Sequence, residues 1–431
     1  MKKQKLALII ALILGLMLLT LSGCGGGGGG GGTEPTTPAD PVTDPITDPA
    51  DPDDTENKDP LARFEIEGLD FEQPGRPAVA YNDIQDEFLV VSATTAADGT
   101  SKLVGIIQSP PFDGTNSPNE WPITIADLQV DATSSRPAAI FNGTHYCIVF
   151  QDGGNIYAQL IDTVGNLLGT KQALSSGEGN YLPVMAYDDQ NDQALVVWVK
   201  YMDESVNYYD LYSALVSFDN LSGNIAKERL EESLLGSQAG DQNEPAVSFD
   251  GDNYLVLWRQ SPDTSEDITL TSDIYGARVG ATNGTVVGDT FPVATAAGGQ
   301  AEPQLAFDGT NYLAVWSDLR NATTTGYDIY GAIISPTDAP NVDANFPIND
   351  ASVDIQNFPT VSWSGDGFVV AWANLDLDYP TNIGIFANIV TSAGEVTDQL
   401  FEVSGAAEGT LNIYPVASEI LVTWVSLQLG S

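Results

Sequence analysis

Within 431 residues the chain carries one histidine, His145, and two cysteines, Cys24 and Cys147. His145 lies in NGTHY, aligned with Asn253 of DGDNY and Asn311 of DGTNY, so it occupies a turn position. No second imidazole remains for a serine–histidine triad or a multi-histidine metal site. Glycine-rich phosphate loops and CxxCH haem attachment are absent. What the chain does have is acid: 59 Asp and Glu against 15 Lys and Arg. Paired carboxylates can run general acid–base hydrolysis, but at this density close pairs arise by chance. Oxygen clusters that could attract calcium are DDQND (188–192), DGDN (250–253) and NLDLDY (374–379). None has the EF-hand spacing with its terminal Glu. The first two read as turn chemistry, which leaves Asp376 and Asp378 as the candidate metal residues.

The elements that must position these groups repeat. A start of the form P-x-x-A/S-aromatic recurs at Pro77, Pro137, Pro183, Pro245, Pro303 and Pro359, with a degenerate copy at Pro415, a mean spacing of about 56 residues. Each copy continues with a turn, such as the Asp-Gly at 250–251 or 308–309, strong hairpin chemistry because glycine tolerates positive φ. Next comes a strand apolar on both faces and ending in an aromatic: ALVVW, YLVLW, YLAVW, FVVAW, ILVTW. A variable loop follows, then a third strand such as DIYGARV, then a weaker fourth such as FPVA. NIAKERLEESLL (224–235) is the single helix candidate. Four short strands per unit predict an all-β propeller blade. The continuous apolar strands suit sheets buried on both faces. Seven four-stranded blades are expected, six or eight remaining open. The last is completed by RFEIEGLDFEQPGRP (63–77), so that strands from both termini close the ring.

The pattern P-x-x-A-F-D-G … W-S-D … D-I-Y resembles the PD40/TolB-type (WD40-like) propeller repeat found in exported bacterial lipoproteins, over residues 63–426. Blade one departs from it, with KLVGIIQ in place of DIYGA and the insertion SPPFDGTNSPNEWP. Such a resemblance speaks to fold more than activity, because propellers host enzymes and binders alike. Sialidase-type propellers need an arginine cluster and Asp-box turns; the seven arginines here are scattered along the chain and no Asp-box occurs. In an antiparallel four-stranded blade the second-to-third and fourth-to-first loops share one face. On that face lie the candidate ligand residues Gln242, Gln300 and Gln356, each three residues before a blade-opening proline, together with Asp318 and Arg320. Inter-blade hydrogen bonding is the alternative role for the glutamines. Cys147, where the copies place Leu255 and Leu313, reads as a small buried apolar residue.

The N-terminus gives an address. MKKQKLALIIALILGLMLLTLSGC has the charged start and apolar run of a secretory signal, an uncleaved anchor being the alternative. LSGC resembles the bacterial lipobox, which implies a signal peptide over 1–23 and lipidation of Cys24. Gly25 in place of aspartate favours the outer membrane. Residues 24–60, glycine-rich and then Asp/Pro-rich, cannot bury a core and form a tether, leaving 61–431 as the propeller. The net charge of −44, or −47 once Lys2, Lys3 and Lys5 are removed, disfavours nucleic acid. These features together lead to the expectation of a non-catalytic binding or assembly scaffold at the cell envelope, with a protein or glycan partner and no cofactor, or calcium only. The alternatives are an enzyme processing envelope or extracellular glycan or peptide through carboxylates in the central channel, and a calcium-dependent adhesin.

Overall fold

A strand such as YLVLW has a side-chain period of two, so its residues must divide between two apolar neighbours. In the computed structural model they do. Tyr254, Val256 and Trp258 pack into the cluster shared with the preceding sheet, while Leu255 and Leu257 pack into the cluster shared with the following one. Trp198, Trp258, Trp316 and Trp372 are all 2 % exposed or less. Truncating one such side chain to alanine costs about 3–5 kcal/mol. The aromatic ends of these strands are therefore scaffold.

The structure describes residues 73–423 apart from 75, 97, 110–122, 130–134, 203–208, 220–223, 234–239, 263–270, 322–325, 350–353, 376–382, 398–399, 406–411 and 417–418. They belong to one compact unit, Asp59–Ser431. The described residues form antiparallel sheets in chain order. In the fourth sheet, for example, Asp241–Phe249, Asn253–Ser261, Asp273–Gly280 and Val286–Ala294 lie side by side. The innermost strands of successive sheets are Ala78–Asn82, Ala138–Phe141, Asn180–Asp188, Asp241–Phe249, Gln300–Phe307, Ile355–Trp363 and Asn412–Val416. Each touches the next, and Asn412–Val416 lies against both Ile355–Trp363 and Ala78–Asn82.

Asp side chains close the inner hairpins. Asp308 Oδ1 accepts from the backbone N–H of Thr310 and Asn311, both at 2.7 Å, and Asp250 and Asp188 do the same in their own turns. The oxygen clusters at 188–192 and 250–253 are thus turn caps. Neighbouring sheets are tied by backbone bonds, Gln300 N–H to Ser272 O and Gln356 N–H to Tyr327 O, both 2.8 Å.

One sequence candidate, the short helix, is replaced by a strand, and one expectation falls largely outside the described residues. The segment Asn224–Ser233 is a strand, paired to Tyr209–Asp219; its weak helical period yields to the open edge of the third sheet, which needs a fourth strand. Of the stretch expected to complete the last sheet, only its end is described. Gln73–Pro74 pairs with Thr94–Thr95 of the first sheet, and 63–72 lie outside the described residues. Cys147 is fully buried in the core between the second and third sheets, where burial raises its thiol well above the usual range.

Candidate functional site: an axial cluster of arginines and glutamates

The inner strands of the third to sixth sheets share an irregularity. Their ladders slip between Tyr181 and Val184, Asn243 and Ala246, Ala301 and Gln304, and Asn357 and Thr360. Each slip holds the blade-opening proline and the residue before it. Proline has no N–H for the ladder, so a bulge forms. The preceding residue is driven to positive φ: Leu182 at 53°, Glu244 at 52°, Glu302 at 56° and Phe358 at 55°. None is glycine, and left-handed backbone at such residues costs about 1–3 kcal/mol apiece and clusters at functional sites.

Residues that precede several of these prolines meet one another. Arg76 of the first sheet reaches Glu302 of the fifth, Nη2 to Oε1 at 3.5 Å, and its guanidinium lies 5.1 Å from the centre of the Phe358 ring in the sixth. Side chains from sheets that are not neighbours in sequence order meet only on the shared axis. The carboxylates also hold the bulges. Glu244 Oε2 accepts the N–H of Glu302 at 2.7 Å, and Glu302 Oε2 accepts the N–H of Phe358 at 3.0 Å and the Ser317 hydroxyl at 3.2 Å. Arg259, one residue past Trp258, contributes Nη1 to Glu244 Oε1 at 3.1 Å. Arg136, the residue before the second sheet's proline, is electrostatically coupled to both Arg76 and Glu302.

The two carboxylates sit in different surroundings. Burial pushes the Glu302 carboxyl up; Arg76 and Arg136 oppose this, and Glu244 adds to it. Burial, and then the neighbouring Arg136, bring the Arg76 guanidinium down to about 10, against the pull of Glu302 and Glu244. Arg76 remains charged at neutral pH, and Glu302 is the group that holds a proton more readily than an ordinary glutamate. Glu244 and Glu302 are about four-fifths buried, so their outer edges still meet solvent.

None of these axial positions stood out in the sequence, where the seven arginines read as scattered; ring geometry gathers Arg76, Arg136 and Arg259. The structure places the sequence-nominated residues elsewhere. Gln242, Gln300 and Gln356 are at most 1 % exposed. Their amides donate to Gly240 O, to Ala296 O and Gly298 O, and to Asn374 Oδ1, respectively. Asn180 occupies the equivalent position in the third sheet and accepts the Trp198 indole N–H at 2.9 Å. Asp318 is fully buried. It accepts the Trp316 indole N–H at 2.8 Å and a two-pronged bond from Arg320 at 2.9 and 2.7 Å, and Arg320 stacks on Tyr330. Asp376, Asp378 and Cys24 lie outside the described residues. Among the described residues no group of three or more His, Cys, Asp or Glu side chains is arranged to hold a metal ion.

No protein-family model matches the chain, and no curated protein does. Solved structures do. A puromycin hydrolase mutant aligns at 17 % identity with a TM-score of 0.52, covering 80 % of this chain and 49 % of that one; this chain thus spans about half the length of that protein. The Dos1 propeller aligns at 14 % identity and TM-score 0.45, over 84 % of this chain and 94 % of that one. A GH43 endo-arabinanase from Bacillus licheniformis aligns at 13 % identity and TM-score 0.37, over 61 % and 96 %. The sequence expectation that the chain is not an enzyme rested on the lack of a catalytic motif, and it is overturned here. A hydrolase shares this architecture at a TM-score of 0.52, and a propeller assembles its axial groups from residues a whole repeat apart, which leaves no local motif to find. By the order of its antiparallel sheets and the contacts between their inner strands, with the puromycin hydrolase likeness beside them, the chain is a β-propeller.

Proposed function

We propose that the chain is a hydrolase of the bacterial envelope, acting on glycan or peptide with the axial carboxylates as its acid–base pair. One observation carries the reading: two glutamates from adjacent blades meet on the axis in environments that differ. Glu302 is pushed toward its protonated form by burial, whereas Glu244 is held in a salt bridge to Arg259. Carboxyl groups set apart in this way divide the roles of acid and base between them. Glu244 takes a proton from water as the water oxygen bonds to the scissile carbon. Glu302 gives its proton to the leaving oxygen or nitrogen as that bond breaks. Return of one proton from Glu244 to Glu302 resets the pair. Arg76 offsets the charge left on Glu302 after transfer.

The setting belongs to the same proposal: a seven-bladed ring of the PD40/TolB type, closed by strands from both ends of the chain. Cys24 carries the lipid anchor at the outer membrane, residues 24–60 are the tether, and nucleic acid is not a partner. Calcium at Asp376 and Asp378 would serve the loop face, apart from the acid–base pair. The test is hydrolysis of a panel of envelope glycans and peptides by the full chain, with Glu302→Gln and Glu244→Gln beside it. Turnover that falls about 10²-fold or more in both variants, with the fold intact, is the expected result. Turnover unchanged in both variants, or none on any substrate, rejects the assignment.

A further inference from the structure

The axis carries more positive charge than its own acids answer. Arg259 is matched by Glu244 at 3.1 Å. Among the described residues the one ion pair of Arg76 is the long 3.5 Å approach of Glu302, a carboxyl that burial disposes to hold a proton. Arg136 makes no side-chain hydrogen bond or ion pair among the described residues, yet it lies close enough to Arg76 to repel it. The Nε of Arg259, a residue nine-tenths buried, has no acceptor either. Three of the chain's seven arginines thus gather on the axis of a protein whose net charge is −44. Guanidinium groups that outnumber the acids near them repel one another, and a bound anion would relieve that repulsion.

The surroundings narrow the anion. Glu244 and the strongly negative whole would repel a phosphate dianion or a polyanionic glycan, whereas a single carboxylate has one charge and the planar shape that a guanidinium fork grips with two hydrogen bonds. A half-buried point on the axis also receives a chain end more readily than the middle of a chain. We propose that Arg136 and Arg76 bind the terminal carboxylate of a peptide, so that the substrate of the axial site is a peptide with a free C-terminus. This rests on the reading of the site as hydrolytic and narrows its substrate class. Arg136 is the positioning residue, Arg76 assists, and the Phe358 ring beside Arg76 offers an apolar wall for the last side chain.

Binding tests this without turnover. Calorimetry with the full chain would compare acetyl-Ala-Ala-Ala bearing a free carboxylate, the same peptide as its C-terminal amide, glucuronate and inorganic phosphate, against the unsubstituted chain and Arg136→Gln. Arg136 has no structural partner to lose, so this variant should fold; Arg136→Lys, which keeps the charge but not the fork, serves as the second. The free acid is expected to bind about tenfold or more tightly than the amide, a preference that Arg136→Gln abolishes and Arg136→Lys partly restores. Equal binding of acid and amide overturns the proposal. So does an acid preference that survives Arg136→Gln, or tighter Arg136-dependent binding of glucuronate or phosphate. Hydrolysis without acid preference would sink this inference and leave the enzyme reading standing. Arg136-dependent binding of the free acid with no turnover of any substrate would do the reverse.

Discussion

Replacing Arg320 by glutamine isolates a buried charge. Asp318 is fully buried and Arg320 is its only cationic partner among the described residues, gripping both oxygens at 2.9 and 2.7 Å. In Arg320→Gln the carboxylate keeps the Trp316 indole N–H at 2.8 Å and the backbone N–H of residue 320, also at 2.8 Å. Those two donors satisfy hydrogen bonding but leave the charge uncompensated. Removing one partner of a buried pair costs about 3–5 kcal/mol, and the surviving donors place this case near the lower figure. With about 2.1 cal/mol/K of unfolding entropy per residue over roughly 350 residues, a 3 kcal/mol loss lowers Tm by about 4 °C. The loss should also depend on pH. An unpartnered buried carboxylate favours its protonated form, so the native state of the variant binds a proton more readily than the unfolded chain. Its stability therefore rises relative to the parent as pH falls through the carboxylate range, and the deficit is largest at neutral pH. Scanning calorimetry of both chains from pH 4 to 8 measures this. A Tm difference under about 1 °C at pH 7, or one constant across the range, would refute the scaffold role of the pair and return Asp318 and Arg320 to the ligand-facing set.

Asn180→Ala strips the acceptor from the buried Trp198 indole N–H, and a stability loss of about 1–3 kcal/mol is expected in urea titration. A pair of glycines separates backbone strain from collision. At Gly309, φ 91° with open space around it, alanine should cost about 1–2 kcal/mol, whereas at Gly240 the added Cβ would stand 2.3 Å from Ser261 O, so Gly240→Ala should lower the urea midpoint well beyond Gly309→Ala. Cys147, buried and with its thiol pushed up, should resist iodoacetamide in the native chain at pH 8 and react at once in denaturant, as read by mass spectrometry.

Most of the architecture was legible because the features that make a blade recur in most copies. The proline, the Asp turn and the doubly apolar strand ending in tryptophan are set by local chemistry, and in the third to fifth sheets each is found where its spacing placed it. The axial site was not legible for the opposite reason. The residue before each blade-opening proline differs from copy to copy: Arg76, Arg136, Leu182, Glu244, Glu302, Phe358, Tyr414. Reading for what the copies share discards that column as noise. Yet in four of the copies the proline breaks the ladder and the bulge sends its predecessor to positive φ, and the packing of the sheets brings residues 226 positions apart, Arg76 and Glu302, to 3.5 Å. Aligning the copies on the proline and reading the residue before it would have shown two arginines and two glutamates in one column of the repeat. The nominated glutamines failed the complementary test. They recur because the scaffold needs them, their amides donating to backbone carbonyls or to a strand neighbour, whereas a site on the axis of a repeat protein is written in the position that does not repeat.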